Sequence, residues 1–125
     1  RTYNELKWRK KTEPLRYQEN KREFNEAKEQ AAATSSDLFF DLLIAQLTLE
    51  AATKNKVNAD TLYQISQGRY SVGRIAETDL LQIELSVMDA NAQLASADLN
   101  AQTANEQLRS FLGITTNAEF QLIPP

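Results

Sequence analysis

The chain has 125 residues, a formal net charge of −3 and no cysteine or histidine. Thiolate nucleophiles, cysteine-based zinc sites and imidazole acid–base catalysis are therefore excluded, and so mild a charge makes no case for nucleic acid. The charge is uneven: residues 1–30 hold nine Lys/Arg against six Asp/Glu, and residues 31–125 hold five against eleven. Alternating signs mark the basic start as a solvated helix face. No apolar run reaches the roughly 18 residues that a membrane-spanning helix needs. The chain also opens in mid-pattern without a signal peptide, so it is expected to be a piece of a longer protein.

Residues 1–13 are polar, with Tyr3, Leu6 and Trp8 as apolar anchors, and read as a connector. Pro14 suits the first turn of a helix, where its missing N–H does no harm and Thr12 is placed to cap. A kinked helix entering from about Asn4 is the alternative. From Pro14 to about Tyr70 only Gly68, near the end, interrupts a helical pattern some 85 Å long at 1.5 Å per residue. Residues 15–30 are highly charged and carry a thin stripe of Tyr17, Phe24 and Ala27. Beyond Ala31 two stripes appear. One holds Leu38, Leu42, Ala45, Leu49, Ala52, Ala59 and Tyr63, interrupted by Lys56; the other holds Phe40, Leu43, Leu47, Ala51, Leu62 and Ile65.

Residues 67–79 contain two of the chain's three glycines and must reverse its direction. Glycine accepts the positive φ at which helices commonly stop, and an acid such as Asp79 suits the first turn of the helix that follows. The turn is expected over about 71–76. A second helix then runs from about Glu77 to Leu112, roughly 54 Å. Leu80, Ile83, Val87, Ala90, Leu94, Ala97, Ala101, Ala104, Leu108 and Phe111 alternate steps of three and four without a miss, as in a coiled-coil seam. Beside them lies a second stripe of Leu81, Leu85, Met88, Ala92, Ala95 and Leu99, and a polar face of Gln82, Asp89, Gln93, Ser96, Asn100 and Gln107. Gly113 is read as the helix stop. The tail, residues 114–125, reads as an extended connector with a short alternating piece at Phe120–Ile123.

The expected fold is all-α: a long antiparallel two-helix coiled-coil hairpin over 14–113. One stripe per helix faces the partner helix; the other wants a neighbour that a lone hairpin does not supply. A closed ring of helices and an ordinary four-helix bundle satisfy that need equally well.

The run Tyr70-Ser71-Val72-Gly73-Arg74-Ile75-Ala76-Glu77-Thr78-Asp79-Leu80-Leu81, with the closing Leu108-Arg109-Ser110-Phe111-Leu112-Gly113, resembles the periplasmic tip and returning helix of TolC-type outer-membrane efflux channels. The resemblance covers about residues 14–113. It implies a homotrimer packed through the helix flanks, in which two such hairpins from each protomer close a periplasmic α-barrel beneath an outer-membrane β-barrel. Residues 1–13 would then approach from the β-barrel side and 114–125 would enter an equatorial region. The resemblance also implies that Val72, Gly73, Arg74 and Ile75 form a turn docking onto a periplasmic adaptor protein, and through it an inner-membrane pump. Tyr70, Thr78 and Asp79 would form a gate at the tip, with Asp79 linked to Tyr70 or Arg74. One departure stands out: Ala76 occupies the position where the family often has Ser or Thr to complete a reciprocal helix cap.

No catalytic residue, metal site or cofactor is expected. The carboxylates are numerous but define no apolar pocket. Two other functions fit the pattern: the coiled-coil hairpin of the adaptor itself, and an unrelated structural coiled coil. Adaptor tips usually place serine where Ala76 stands, and a structural coiled coil should have arms of equal length.

Overall fold

The computed structural model describes the backbone of residues 2–122 and the side chains of residues 13–117. It contains two helices, α1 over Thr2–Ser71 and α2 over Glu77–Leu122. By their contacts, residues 1–37 form one unit and residues 38–125 another.

In the first unit, every side chain from Glu13 to Gln30 is exposed. Arg22 Nε and Glu26 Oε1 lie 3.4 Å apart, and the Lys28 ammonium sits 5.6 Å from the centre of the Phe24 ring. Exposed pairs at this spacing contribute about 0.3–0.5 kcal/mol each, so this stretch owes its helicity mainly to its Glu, Lys, Arg, Gln and Ala content. Pro14 lies inside α1 rather than at its start, and residues 2–13 are helical, near the alternative of a helix entering from about Asn4. The missing N–H and the ring's clash with the carbonyl four residues back cost about 3 kcal/mol. Good helix formers on both sides outweigh that cost, and α1 runs through Pro14 without a break.

The second unit is the hairpin. Leu38 shares a groove with Phe111 and Leu49 with Leu94, so rising numbers on α1 meet falling numbers on α2, as antiparallel pairing demands. The residues removed from solvent are those of the two expected seams. Ala52 on α1 and Ala90, Ala97, Ala101, Ala104 and Leu108 on α2 are buried; Leu38, Leu42, Ala45, Leu49, Tyr63, Leu80, Ile83, Val87, Leu94 and Phe111 are half-buried. Alanine on α2 leaves room for the larger side chains of α1, and small residues at a seam allow helices to pack closely.

Two polar side chains belong to this seam. Lys56 is half-buried at the interruption already noted, and Ser66, only 4% exposed, carries the alternation one step beyond Tyr63. Sequence inspection missed Ser66 because it is polar, although its spacing from Tyr63 was the available signal.

The second stripe of each helix is exposed. On α1 these are Phe40, Leu43, Leu47, Leu62 and Ile65; on α2 they are Leu81, Leu85, Met88 and Leu99. Gly113 does not end α2, which continues to Leu122. Glycine inside a helix costs only about 1 kcal/mol relative to alanine. Gly113 also lacks the positive φ of a helix stop, which among the described residues occurs only at Gly73. Thr116 Oγ1 donates to the Leu112 carbonyl at 2.8 Å, bridging the turn that contains the glycine. The expected extended tail is thus helical over 114–122, and residues 123–125 lie outside the described part.

Candidate functional site

The link between the helices is short and fully specified by backbone hydrogen bonds. α1 ends at Ser71, and Gly73 adopts φ +77°. The Gly73 N–H donates to the Tyr70 carbonyl at 2.9 Å, and the Arg74 N–H donates to the Arg69 carbonyl at 2.8 Å. This pair of bonds, with a left-handed glycine between the helix end and Arg74, is a Schellman stop; it satisfies two carbonyls that a helix end otherwise leaves open. Ser71 Oγ adds a third bond, donating to the Gly68 carbonyl at 2.7 Å.

α2 then begins at Glu77, with Ala76 in the capping position. The Ala76 carbonyl accepts from the N–H groups of Asp79 at 3.1 Å and Leu80 at 3.2 Å. Asp79 Oδ2 reaches back to accept from the Ala76 N–H at 3.3 Å. That is one half of a reciprocal capping box. The other half needs a side-chain oxygen at residue 76, and alanine has none. Ala76→Ser restores that oxygen, and the hairpin should gain about 0.5–1 kcal/mol. The gain would appear as slower hydrogen exchange at the amides of residues 77–79; unchanged exchange there would show that the half-box already suffices.

The expected tip residues therefore separate into two groups. Val72, Gly73 and Arg74 are exposed and Ile75 is half-buried, so the turn presents Val72, 69% exposed, outward and holds Ile75 inward. Tyr70, Thr78 and Asp79 are exposed at the two helix ends. Asp79 makes its hydrogen bond to the Ala76 backbone. The ion pairs among the described residues are Arg22–Glu26 and Glu50–Lys54, so Arg74 and Asp79 are not joined in this structure.

Away from the tip, the two sides of the hairpin differ. One groove is lined by Thr48, Ala51 and Asn55 of α1 and by Gln93, Ser96 and Asn100 of α2. It gathers half of the polar face seen in the sequence. The groove on the other side brings Thr53 and Lys56 against Asn91, Ala95 and Asp98. Among the described residues no helix is long and apolar enough to cross a membrane, and no group of acidic side chains has metal-site geometry.

Residues 2–114 match the outer membrane efflux protein family. The chain belongs to that family. It is thus a segment of an outer-membrane efflux channel, from a family of channels rather than enzymes, and its two-helix hairpin fits that family. Neither the adaptor nor the unrelated coiled coil is favoured by this match. No curated protein and no solved structure gives a significant match.

Proposed function

We propose that this efflux-family hairpin is a periplasmic wall segment of a trimeric channel and that its tip docks onto a periplasmic adaptor, which links it to an inner-membrane pump. The observation that carries the reading is the pairing of one buried seam with a second, exposed apolar stripe on each helix, together with a hydrogen-bonded turn that leaves Val72 and Arg74 exposed. A single hairpin leaves both outer stripes in water. A ring of hairpins covers them, because each helix then has a neighbour on two sides. In this role the segment is passive: solute passes along the lumen, and the tip residues Val72, Gly73, Arg74 and Ile75 meet the adaptor. Tyr70, Thr78 and Asp79 stand at the channel mouth.

Val72 makes a clean test because it is exposed and has no described bond to the rest of the chain. Val72→Asp in the full-length channel should leave trimer and thermal stability unchanged, since exposed substitutions stay within about 0.5 kcal/mol. Adaptor-dependent efflux should fall toward that of cells lacking the channel. Normal drug resistance with Asp at this position would rule out docking through the turn.

A further inference from the structure

The exposed stripes of the two helices do not match in height. Between Leu38 and Leu47, α1 holds only two polar residues, Asp41 and Gln46. Leu38, Leu42 and Ala45 are half-buried in the seam, whereas Phe39, Phe40, Leu43, Ile44 and Leu47 are 42–63% exposed. Five large apolar side chains within about two and a half turns make a patch, unlike the scattered single residues that need no explanation. At about 100° per residue, Phe40, Leu43 and Leu47 share the face away from the seam, and Phe39 and Ile44 border it.

On α2 the same level is polar. Ile44 and Ala45 share a groove with Ala97 and Asn100, and Leu38 shares one with Gln107 and Phe111, which sets the height. The second stripe of α2 rises through Leu81, Leu85 and Met88 to Leu99; continued at its spacing of three and four, it reaches Gln102, Glu106 and Arg109, all exposed. Copies of this hairpin set side by side, tips at one end, would press Phe40, Leu43 and Leu47 against Gln102 and Glu106. That contact buries a carboxylate on an apolar face, which is costly, and α1 has no Lys or Arg from residue 29 to residue 53 to receive it. Sliding one copy until Leu85 reached the level of Thr103 would need a shift of roughly 27 Å. A shift repeated from copy to copy builds an open stack, not a closed ring.

From this mismatch we infer that the upper flank of α1, centred on Phe40, Leu43 and Leu47, is the interface for an unlike helix of the same channel. That helix comes from outside these 125 residues and carries large apolar side chains where α2 has Gln102, Glu106 and Arg109. The inference rests on the wall-segment reading above and adds that like hairpins are not neighbours along this flank. Glu106 then has a part in partner choice, because a like hairpin would have to bury it while the unlike helix does not.

A photo-reactive phenylalanine in place of Phe40 in the full-length channel, with the cross-linked peptide sequenced by mass spectrometry, tests this. The label should enter an apolar helix of the channel outside residues 1–125. Attachment to residues 99–109 of another copy overturns the inference and leaves the wall reading standing. A trimer whose label reaches no channel segment shows the flank in water and overturns it as well. Absence of any trimer in the unmodified channel removes the wall reading itself. Leu43→Gln with Leu47→Gln should lower the heat resistance of the trimer. Gln102→Leu with Glu106→Leu should not raise it, and a more resistant trimer from that second pair would mean that like flanks meet.

Discussion

Gly73→Pro in the full-length channel should melt the ordered tip while leaving the helices far from it intact. Proline fixes φ near −65°, whereas the turn needs +77° at this residue, so the native backbone is out of reach. The substitution also deletes the N–H that donates to the Tyr70 carbonyl. Together these effects cost about 3 kcal/mol or more at the turn. Nothing lies within 4 Å of where a Cβ would sit at residue 73, so for alanine, which keeps the N–H, the penalty is one of backbone angle alone. Gly73→Ala should therefore cost only about 1–2 kcal/mol, the ordinary price of the left-handed region for a residue with a Cβ. Hydrogen exchange at residues 73–80 separates the outcomes: graded loss of protection from Ala to Pro fits the stop described here. Equal loss in both variants would mean that unseen contacts, not φ, govern the bend.

The second large effect is expected at Ala90, the most buried residue of the seam at 2% exposure. Ala90→Leu adds three carbons at a position already closed to solvent, and overpacking of this sort costs about 1–3 kcal/mol. Ala92→Leu makes the same change on the exposed stripe two residues away and should alter the isolated 125-residue chain by less than about 0.5 kcal/mol. Thermal unfolding of the chain measures both, and equal destabilisation would contradict the assigned seam. In the parent channel the comparison gains force. If neighbouring hairpins cover the outer stripe, Ala92→Leu should also weaken the trimer there, although the lone hairpin ignores it.

The seam was legible because its signal is one of spacing. Ten positions from Leu80 to Phe111 follow the alternation of three and four, and each of them is buried or half-buried. Gly73 was legible for a related reason: a break between two periodic runs needs a residue that tolerates positive φ, and glycine is the cheapest choice. Pro14 and Gly113 misled the reading because they were treated as punctuation. Each disfavours a helix by a bounded amount, about 3 and about 1 kcal/mol, and strong helix formers on both sides outweigh it. Ser66 was overlooked for the opposite reason, since an apolar-only pattern discards a hydroxyl even when its position fits. The tip's bonding was half visible: the gap at Ala76 could be seen in advance, but the attachment of Asp79 to the Ala76 backbone needed coordinates.

The stop at the end of α1 has a bearing on whatever meets this end of the molecule. Between Arg69 and Leu80 the chain is held by two carbonyl bonds at the bend, a serine bond behind it and the aspartate's return bond ahead of it. A loose loop would have to surrender backbone freedom on association, at about 1–2 kcal/mol for each residue immobilised. Here those bonds hold the bend without a partner, so a contact made at this end would carry less of that cost.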